Sequence, residues 1–429
     1  MLEINYLNQI NKESLNIGNK MFLIGTFFLS SVFFLSSVFF LISLSISIIN
    51  TNLTSKENYS KLILIAFTLI IITTINNTYF NKPIELIDYS NFSIWLNLFN
   101  WLPIFLISWG FRNYLLEKKQ RILFFQFFLA GTIPLLFSCI LQLWFGFDDG
   151  PYSIFNGLII WFQYPIEDIG GLSGLFNNQN ITGMWLSIAL AVALSLLKEL
   201  DDKFSRFSLT GISALIIYFI YLTNSRNAFI GLLISIFFLF KFKKSLLILI
   251  SSLSIFYTTN LIYLFTNIKI QQTFIPTGLF NKLDISYSFL EDRLIIWKEA
   301  LSFIFQRPLS GWGGSTFSYL FPKDKVGFAA FHSHNIFIEL AYSFGIPLSI
   351  LLIFFTLNLI RKCFKKIFIK NEKDQNFVIN RSWLICFIVI IICHSSDITF
   401  FDGRISLVSG IIISGLINIV YKPLTLKNK

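Results

Sequence analysis

Long uninterrupted apolar runs, each closed by a short polar or basic cluster, recur along the whole chain. They occupy residues 21–49, 62–80, 92–111, 122–147, 180–197, 207–222, 227–240, 245–268, 335–360, 382–397 and 405–421. Most reach the roughly 18 to 20 residues that a helix needs to cross the hydrocarbon core of a bilayer. The pattern predicts an all-α polytopic membrane protein with about eleven to twelve transmembrane helices. The range arises at 21–49, which is long enough for one tilted helix or for two short ones broken around Ser36 and Ser37. Residues 1–20 form a polar N-terminal tail, and the block from Met21 lacks a small-residue cleavage site, so a retained span is expected rather than a removable signal peptide. Residues 1–429 read as a single membrane domain.

Two segments on the outer side are too long to be simple connections, 148–179 and 269–334. The second carries DRLIIWKEALSFIF, which reads as an amphipathic helix with Ile295, Leu301 and Phe305 on faces that can rest on the membrane surface.

Composition sharpens this picture. The chain is 55% hydrophobic and 13% charged, where soluble domains carry roughly 25% charged residues, so an ordinary soluble domain is excluded. A net charge of +11 would suit nucleic acid, but Lys and Arg sit in short clusters between the apolar runs. The clusters at 112–121, 241–244 and 361–370 mark cytoplasmic loops, and no nucleic-acid partner is expected. Cys139, Cys386 and Cys393 lie in apolar runs and Cys363 in a basic loop, too scattered for a disulfide framework.

The spans are almost free of ionisable groups, apart from Glu339 and His394 near outer ends. A transporter normally keeps such groups along its path. Here the remaining titratable residues of the outer side gather at loop and helix ends, which points to a site at the membrane interface. Arg226, in YLTNSRNAF, is the cation of a very short outer turn. It reads either as an arginine snorkelling to headgroups or as an anion site gripping phosphate. Arg293, in EDRLIIWKEA, reads either as a partner of Glu291 or Asp292 or as a second anion-binding cation; Pro308, Gly311, Gly313 and Gly314 then let the chain turn back toward the membrane.

In FHSHNIFIELAYSFGIP, His332 and His334 share a face if extended and diverge by about 200° in a helix. A metal would need further ligands, and His394 and Asp397 are the available ones. No carboxylate follows at ligand spacing, so no metal is expected. His334 then reads as a structural histidine or as a catalytic base, since imidazole exchanges protons near neutral pH. Asn335 and Glu339, four apart, either cap and pack or orient that imidazole. HSSDITFFDGRIS brings His394, Asp397, Asp402 and Arg404 close in sequence. Helix capping and an Asp402–Arg404 turn contact explain much of it, and Asp397 and Arg404 remain candidates for acceptor binding.

Four stretches resemble the O-antigen ligase and O-antigen polymerase superfamily of bacterial envelope glycosyltransferases. They are GLFNNQNITGMWLSIAL at 174–190, LTNSRNAFIGLL at 222–233, EDRLIIWKEALSFIFQRPLSGWGGSTF at 291–317 and HSHNIFIELAYSFGIP at 332–347. The last resembles the family's His-Asn, spacer, Gly pattern through His334, Asn335 and Gly345, and departs from the ligase form of it at Leu348. The resemblance implies a metal-independent inverting enzyme with no cofactor. It would move a glycan from undecaprenyl diphosphate to an acceptor sugar hydroxyl, on a glycolipid or another lipid-linked glycan, at the periplasmic face of the bacterial inner membrane. It implies Arg226 and Arg293 as the diphosphate-binding pair, His334 as the acceptor-activating base, and His332, Asn335, Glu339, Asp397 and Arg404 as supporting residues. The rival readings are a small-solute transporter of the bicarbonate type and a non-catalytic export scaffold.

Overall fold

A computed structural model describes residues 2–50, 58–166, 171–239, 289–321, 330–369, 377–397 and 399–421. Its helices, in chain order, are α1 (Leu2–Phe28), α2 (Phe33–Asn50), α3 (Asn58–Ile75), α4 (Asn91–Leu96), α5 (Leu98–Gly110), α6 (Lys118–Trp144), α7 (Gln179–Glu199), α8 (Lys203–Leu222) and α9 (Arg226–Leu239). They continue as α10 (Phe289–Gln306), α11 (Phe317–Leu320), α12 (Ile336–Phe344), α13 (Ile346–Phe364), α14 (Phe377–His394) and α15 (Gly403–Val420). A small antiparallel hairpin, β1 (Tyr152–Ile154) with β2 (Ile159–Trp161), lies in the first long outer segment. Among the described residues, nine helical stretches are long and apolar enough to cross a membrane. The protein is an all-α polytopic membrane protein, as its apolar periodicity predicts. The expected span at 245–268 lies outside the described residues.

Two expectations are corrected. The block at 21–49 is two helices, but the break falls at Leu29–Val32 and not at Ser36 and Ser37. Those two serines are accommodated within helices: Ser37 Oγ donates back to Phe33 O at 2.9 Å, and Ser36 Oγ reaches Gly25 O on α1 at 2.7 Å. The block at 335–360 is also divided. Gly345 takes a φ of 94°, a left-handed value suited to glycine, and ends α12, so the membrane span begins at Ile346.

The chain forms two compact units. The first comprises residues 1–50, 113–285 and 367–390. Its centre is α7, buried on all sides from Ile181 to Leu196, the mark of a helix that faces neither water nor lipid. Gly183 lets α9 approach at Ala228 and Ser225. Trp185 on α7 packs against Phe128 of α6, whose Phe125 stacks on Trp383.

The second unit comprises residues 51–112, 286–366 and 391–429. Trp101 of α5 stacks on Phe400 with centroids 4.9 Å apart and meets Phe344 and Phe401 edge-on. The amphipathic helix expected in the second outer segment is α10. Its inner face, Ile296, Ala300 and Ile304 at four-residue spacing, packs with Trp312, Phe317 and Tyr342. Leu301 and Phe305 are exposed, as expected, together with Leu294, and Ile295 is half-buried.

Candidate active site

The site-bearing turn of the second unit is built on α12, and α12 is anchored at both ends. At its C-terminus the carbonyls of Tyr342 and Ser343, which have no partner within the helix, accept from the backbone N–H groups of Trp312 at 2.8 Å and Gly313 at 3.0 Å. Ile346 N–H then donates to Pro308 O at 2.7 Å. This close pairing explains two glycines: a Cβ at Gly311 would press on the backbone of Tyr342 and Ser343, and one at Gly345 on the backbone of Leu309. The RPLSGWGG string is thus a backbone clasp that joins the end of α10 to the end of α12.

At the N-terminus, Asn335 caps α12. Its Oδ1 accepts from Phe337 N–H at 2.9 Å and Ile338 N–H at 3.2 Å, and its Nδ2 donates to Ser395 O at 2.8 Å. Of the two roles weighed from the sequence, the capping one is the one these bonds display. Four residues on, the buried Glu339 accepts Ser333 N–H through Oε2 at 2.9 Å and the Ser343 hydroxyl at 3.4 Å. Burial pushes the Glu339 carboxyl up, against the hydrogen bonds that lower it. Trp297 Nε1 of α10 donates to Ser333 O at 2.9 Å, and Ser333 Oγ donates to Asn335 O at 3.1 Å. These bonds hold His334 at a φ of 54°, a left-handed conformation that costs a side-chain-bearing residue roughly 1–2 kcal/mol.

His334 Nδ1 lies 2.9 Å from Asp397 Oδ1. Burial opposes ionisation of this carboxyl, but the His334 hydrogen bond and the nearby charges of His334, Arg293 and His332 outweigh it and bring Asp397 down to about 2. A carboxylate only accepts, so Nδ1 of the neutral His334 ring carries the hydrogen and Nε2 carries the lone pair. His332 stands beside it, ring centroids 4.4 Å apart and tilted 67°, with its Nδ1 accepting His334 N–H at 3.2 Å. Burial, with help from His334 and Arg293 and against Asp397, pushes the His332 imidazole down to about 4. One donor atom from each of His332, His334 and Asp397 lies within 4.8 Å of the others, a group that can hold a metal ion. Asp397, named from the sequence as an available ligand, lies far along the chain and adjacent in space. His394, the other ligand considered, is not part of the group. It is buried against Phe400 with Nδ1 3.4 Å from the Thr399 hydroxyl.

Arg293 extends from the first turns of α10, half-buried, and its charge acts on both His332 and Asp397. Arg404 pairs with Asp402 through Nε at 2.9 Å, and the Asp402 side chain also caps α15, so the turn contact expected from sequence is present. Arg226 belongs to the first unit, where it opens α9 and is half-buried. The residue before its neighbour, Asn224, takes a φ of 52°; Ser225 N–H donates to Thr223 Oγ1 at 3.3 Å, and Ala228 N–H donates to Ser225 Oγ at 3.4 Å.

Sequence reasoning did not single out Ser333, Trp297, Phe401 or the Ser395 carbonyl. Trp297 was open to discovery, since it stands one helical turn after Arg293 in the same amphipathic segment. The others carry no pattern of their own, because their contribution is a backbone group or a ring edge.

Residues 211–353 match the family model described as O-antigen ligase. The match spans a third of the chain, takes in Arg226, Arg293, His332, His334, Asn335 and Glu339, and ends before Asp397 and Arg404. No curated protein matches the chain. With the apolar helices of the described residues, the match supports a multi-pass membrane protein similar to the O-antigen ligase and polymerase superfamily, with an envelope-glycan role of that type.

Proposed function

We propose that this chain, similar over residues 211–353 to the O-antigen ligase family, transfers a glycan from undecaprenyl diphosphate to an acceptor sugar hydroxyl at the periplasmic face of the bacterial inner membrane. The observation that carries the proposal is the His334–Asp397 pair, which leaves the imidazole lone pair at Nε2 of a half-buried ring whose partner carboxylate feels the charge of Arg293. His334 Nε2 takes the proton of the acceptor hydroxyl as its oxygen attacks the anomeric carbon. The bond from that carbon to the diphosphate breaks, and the lipid diphosphate departs with the electron pair. Attack from the face opposite the leaving group inverts the anomeric centre. Asp397 keeps the ring in the tautomer that accepts at Nε2 and stabilises the imidazolium that forms.

The diphosphate gains negative charge as the bond breaks, so cations beside it stabilise the transition state more than the ground state. Arg293, in the unit that holds His334, fills that role in the proposal; the resemblance assigns Arg226 to the same task, and the step needs no metal. His332, Asn335 and Glu339 hold the turn, Asp397 holds the ring, and Arg404 supports the loop that carries Asp397. The polyprenyl tail lies against the exposed apolar faces of the spans. The acceptor is a glycolipid for a ligase or a second lipid-linked glycan for a polymerase.

The test is to delete the gene, restore it as wild type or His334→Ala, and size both the lipid-linked and the envelope glycan. Loss of transfer with single repeat units accumulating on the carrier identifies a polymerase. Full-length chains stranded on the carrier identify a ligase. A mutant indistinguishable from wild type overturns the catalytic role and leaves transport or scaffolding as the account.

A further inference from the structure

The cluster proposed to run the transfer has a second chemical capacity. Two imidazoles and one carboxylate, each with a donor atom within 4.8 Å of the other two, form the mixed nitrogen and oxygen set that divalent transition metals favour. The donors are already organised. His334 is bonded to Asp397, its backbone N–H is held by His332, and Asn335 and Glu339 fix the turn between the rings. An ion would therefore meet a set whose ordering is complete before it arrives. The two rings are half-buried, not sealed, and the adjoining Phe331 is 74% exposed, so solvent reaches the turn. Only three protein ligands converge, which leaves open positions for water, as in metal sites that exchange their ion.

We propose that His332, His334 and Asp397 bind a divalent transition-metal ion of the zinc type, and that the bound ion switches the transfer off by occupying the imidazole of His334. The inhibitory half of this proposal rests on the reading of His334 as the base; the metal site itself does not. Where the ion takes a ring nitrogen that now bears a hydrogen, one proton leaves to solvent. No electron is transferred. The charge of Arg293, felt by both His332 and Asp397, opposes a dication and favours the anionic donor, so ion and donor compete for one place.

The experiment uses the full-length protein in nanodiscs. Cobalt(II) is titrated as a spectroscopic probe and zinc(II) by calorimetry, for wild type, His332→Ala, His334→Ala, Asp397→Asn and, as a control outside the group, His394→Ala. One saturable equivalent is expected for wild type and His394→Ala. Each of the three ligand variants should weaken binding at least about tenfold, since even the loss of an outer partner of a metal ligand costs that much. Absence of saturable binding overturns the site, as does binding untouched by all three substitutions in monodisperse protein. Transfer is measured in parallel with chelator, with zinc and with zinc followed by chelator. Activity in chelator, loss with zinc and recovery on chelation support the switch, whereas full activity with the ion bound overturns it. If His334→Ala abolishes binding but leaves transfer intact, the metal site stands and the base assignment falls.

Discussion

Two turns of this protein carry residues of the proposed transfer, Arg226 and His334, and they use the same backbone device differently. In Thr223–Arg226 a residue in the left-handed region, Asn224 at a φ of 52°, precedes a helix, and the functional side chain is the first residue of that helix. In His332–Asn335 the left-handed residue is His334 itself, at a φ of 54°, directly before the capping Asn335. Asn tolerates this conformation better than most residues. Histidine shares some of that tolerance, and here it is also held by its neighbours: His332 accepts its N–H, Asp397 its ring, and Asn335 is tied to Ser395. The first turn presents a guanidinium, which stays charged in any surroundings. The second presents a base, whose tautomer and direction both matter, and it is accordingly wired on every side.

Substitutions can separate these two designs. The largest effect is expected at the wired turn: His334→Ala lowers transfer by about 10²- to 10⁴-fold, the contribution of a positioned acid–base group, read as glycan transferred per protein in membranes. Asp397→Asn keeps the shape but offers an amide that can face the ring with its NH2 group. Its loss is expected near the lower end, on the order of 10²-fold, with donor binding retained. Arg226→Ala and Arg293→Ala each cost at least about tenfold, because one charge-assisted hydrogen bond contributes about 1.5–3 kcal/mol. Retention of most activity in Arg226→Lys, against its loss in His334→Gln, would confirm that the first turn needs charge and the second needs direction. Asn335→Ala removes the cap and destabilises the protein by about 1 kcal/mol in thermal unfolding. The smallest effect compares two inactive variants: His334→Gly should be more stable than His334→Ala by up to about 1 kcal/mol, because glycine adopts a φ of 54° without strain. Equal stability of the two would mean that the turn carries no strain.

The membrane architecture was legible in the sequence because it depends on length and apolarity alone, and the spans from 62–80 to 207–222 fall within a few residues of their expected places. The two errors of span have local causes. Ser36 and Ser37 look like breakers but bond to carbonyls one turn away or on α1. The break at Gly345 needs a left-handed φ and a partner strand of backbone at Pro308–Gly313, which no hydropathy profile can register. Within the site, contacts of short range were readable: Asp402 with Arg404, and Asn335 with Glu339 on one helical face. The His334–Asp397 bond was not, since the two lie 63 positions apart and nothing in either segment announces the other. Glu339 was singled out as able to orient the imidazole, but its partners are the backbone of Ser333 and the Ser343 hydroxyl.

The division of the chain at Gly345 has a mechanical consequence. A span whose apolar length differs from the thickness of the surrounding bilayer responds by tilting. Here α13 begins only after Gly345, while α12 is clasped to the segment that follows α10 by two backbone hydrogen bonds, from Trp312 and Gly313, and the first residue of α13, Ile346, is held to Pro308 by a third. Across that glycine Ser349 Oγ of α13 donates to Phe337 O of α12 at 2.8 Å, and Leu348 packs in one cluster with Leu340 and Phe344. The turn proposed to carry the reaction is therefore tied, through α12, to a span that answers to bilayer thickness.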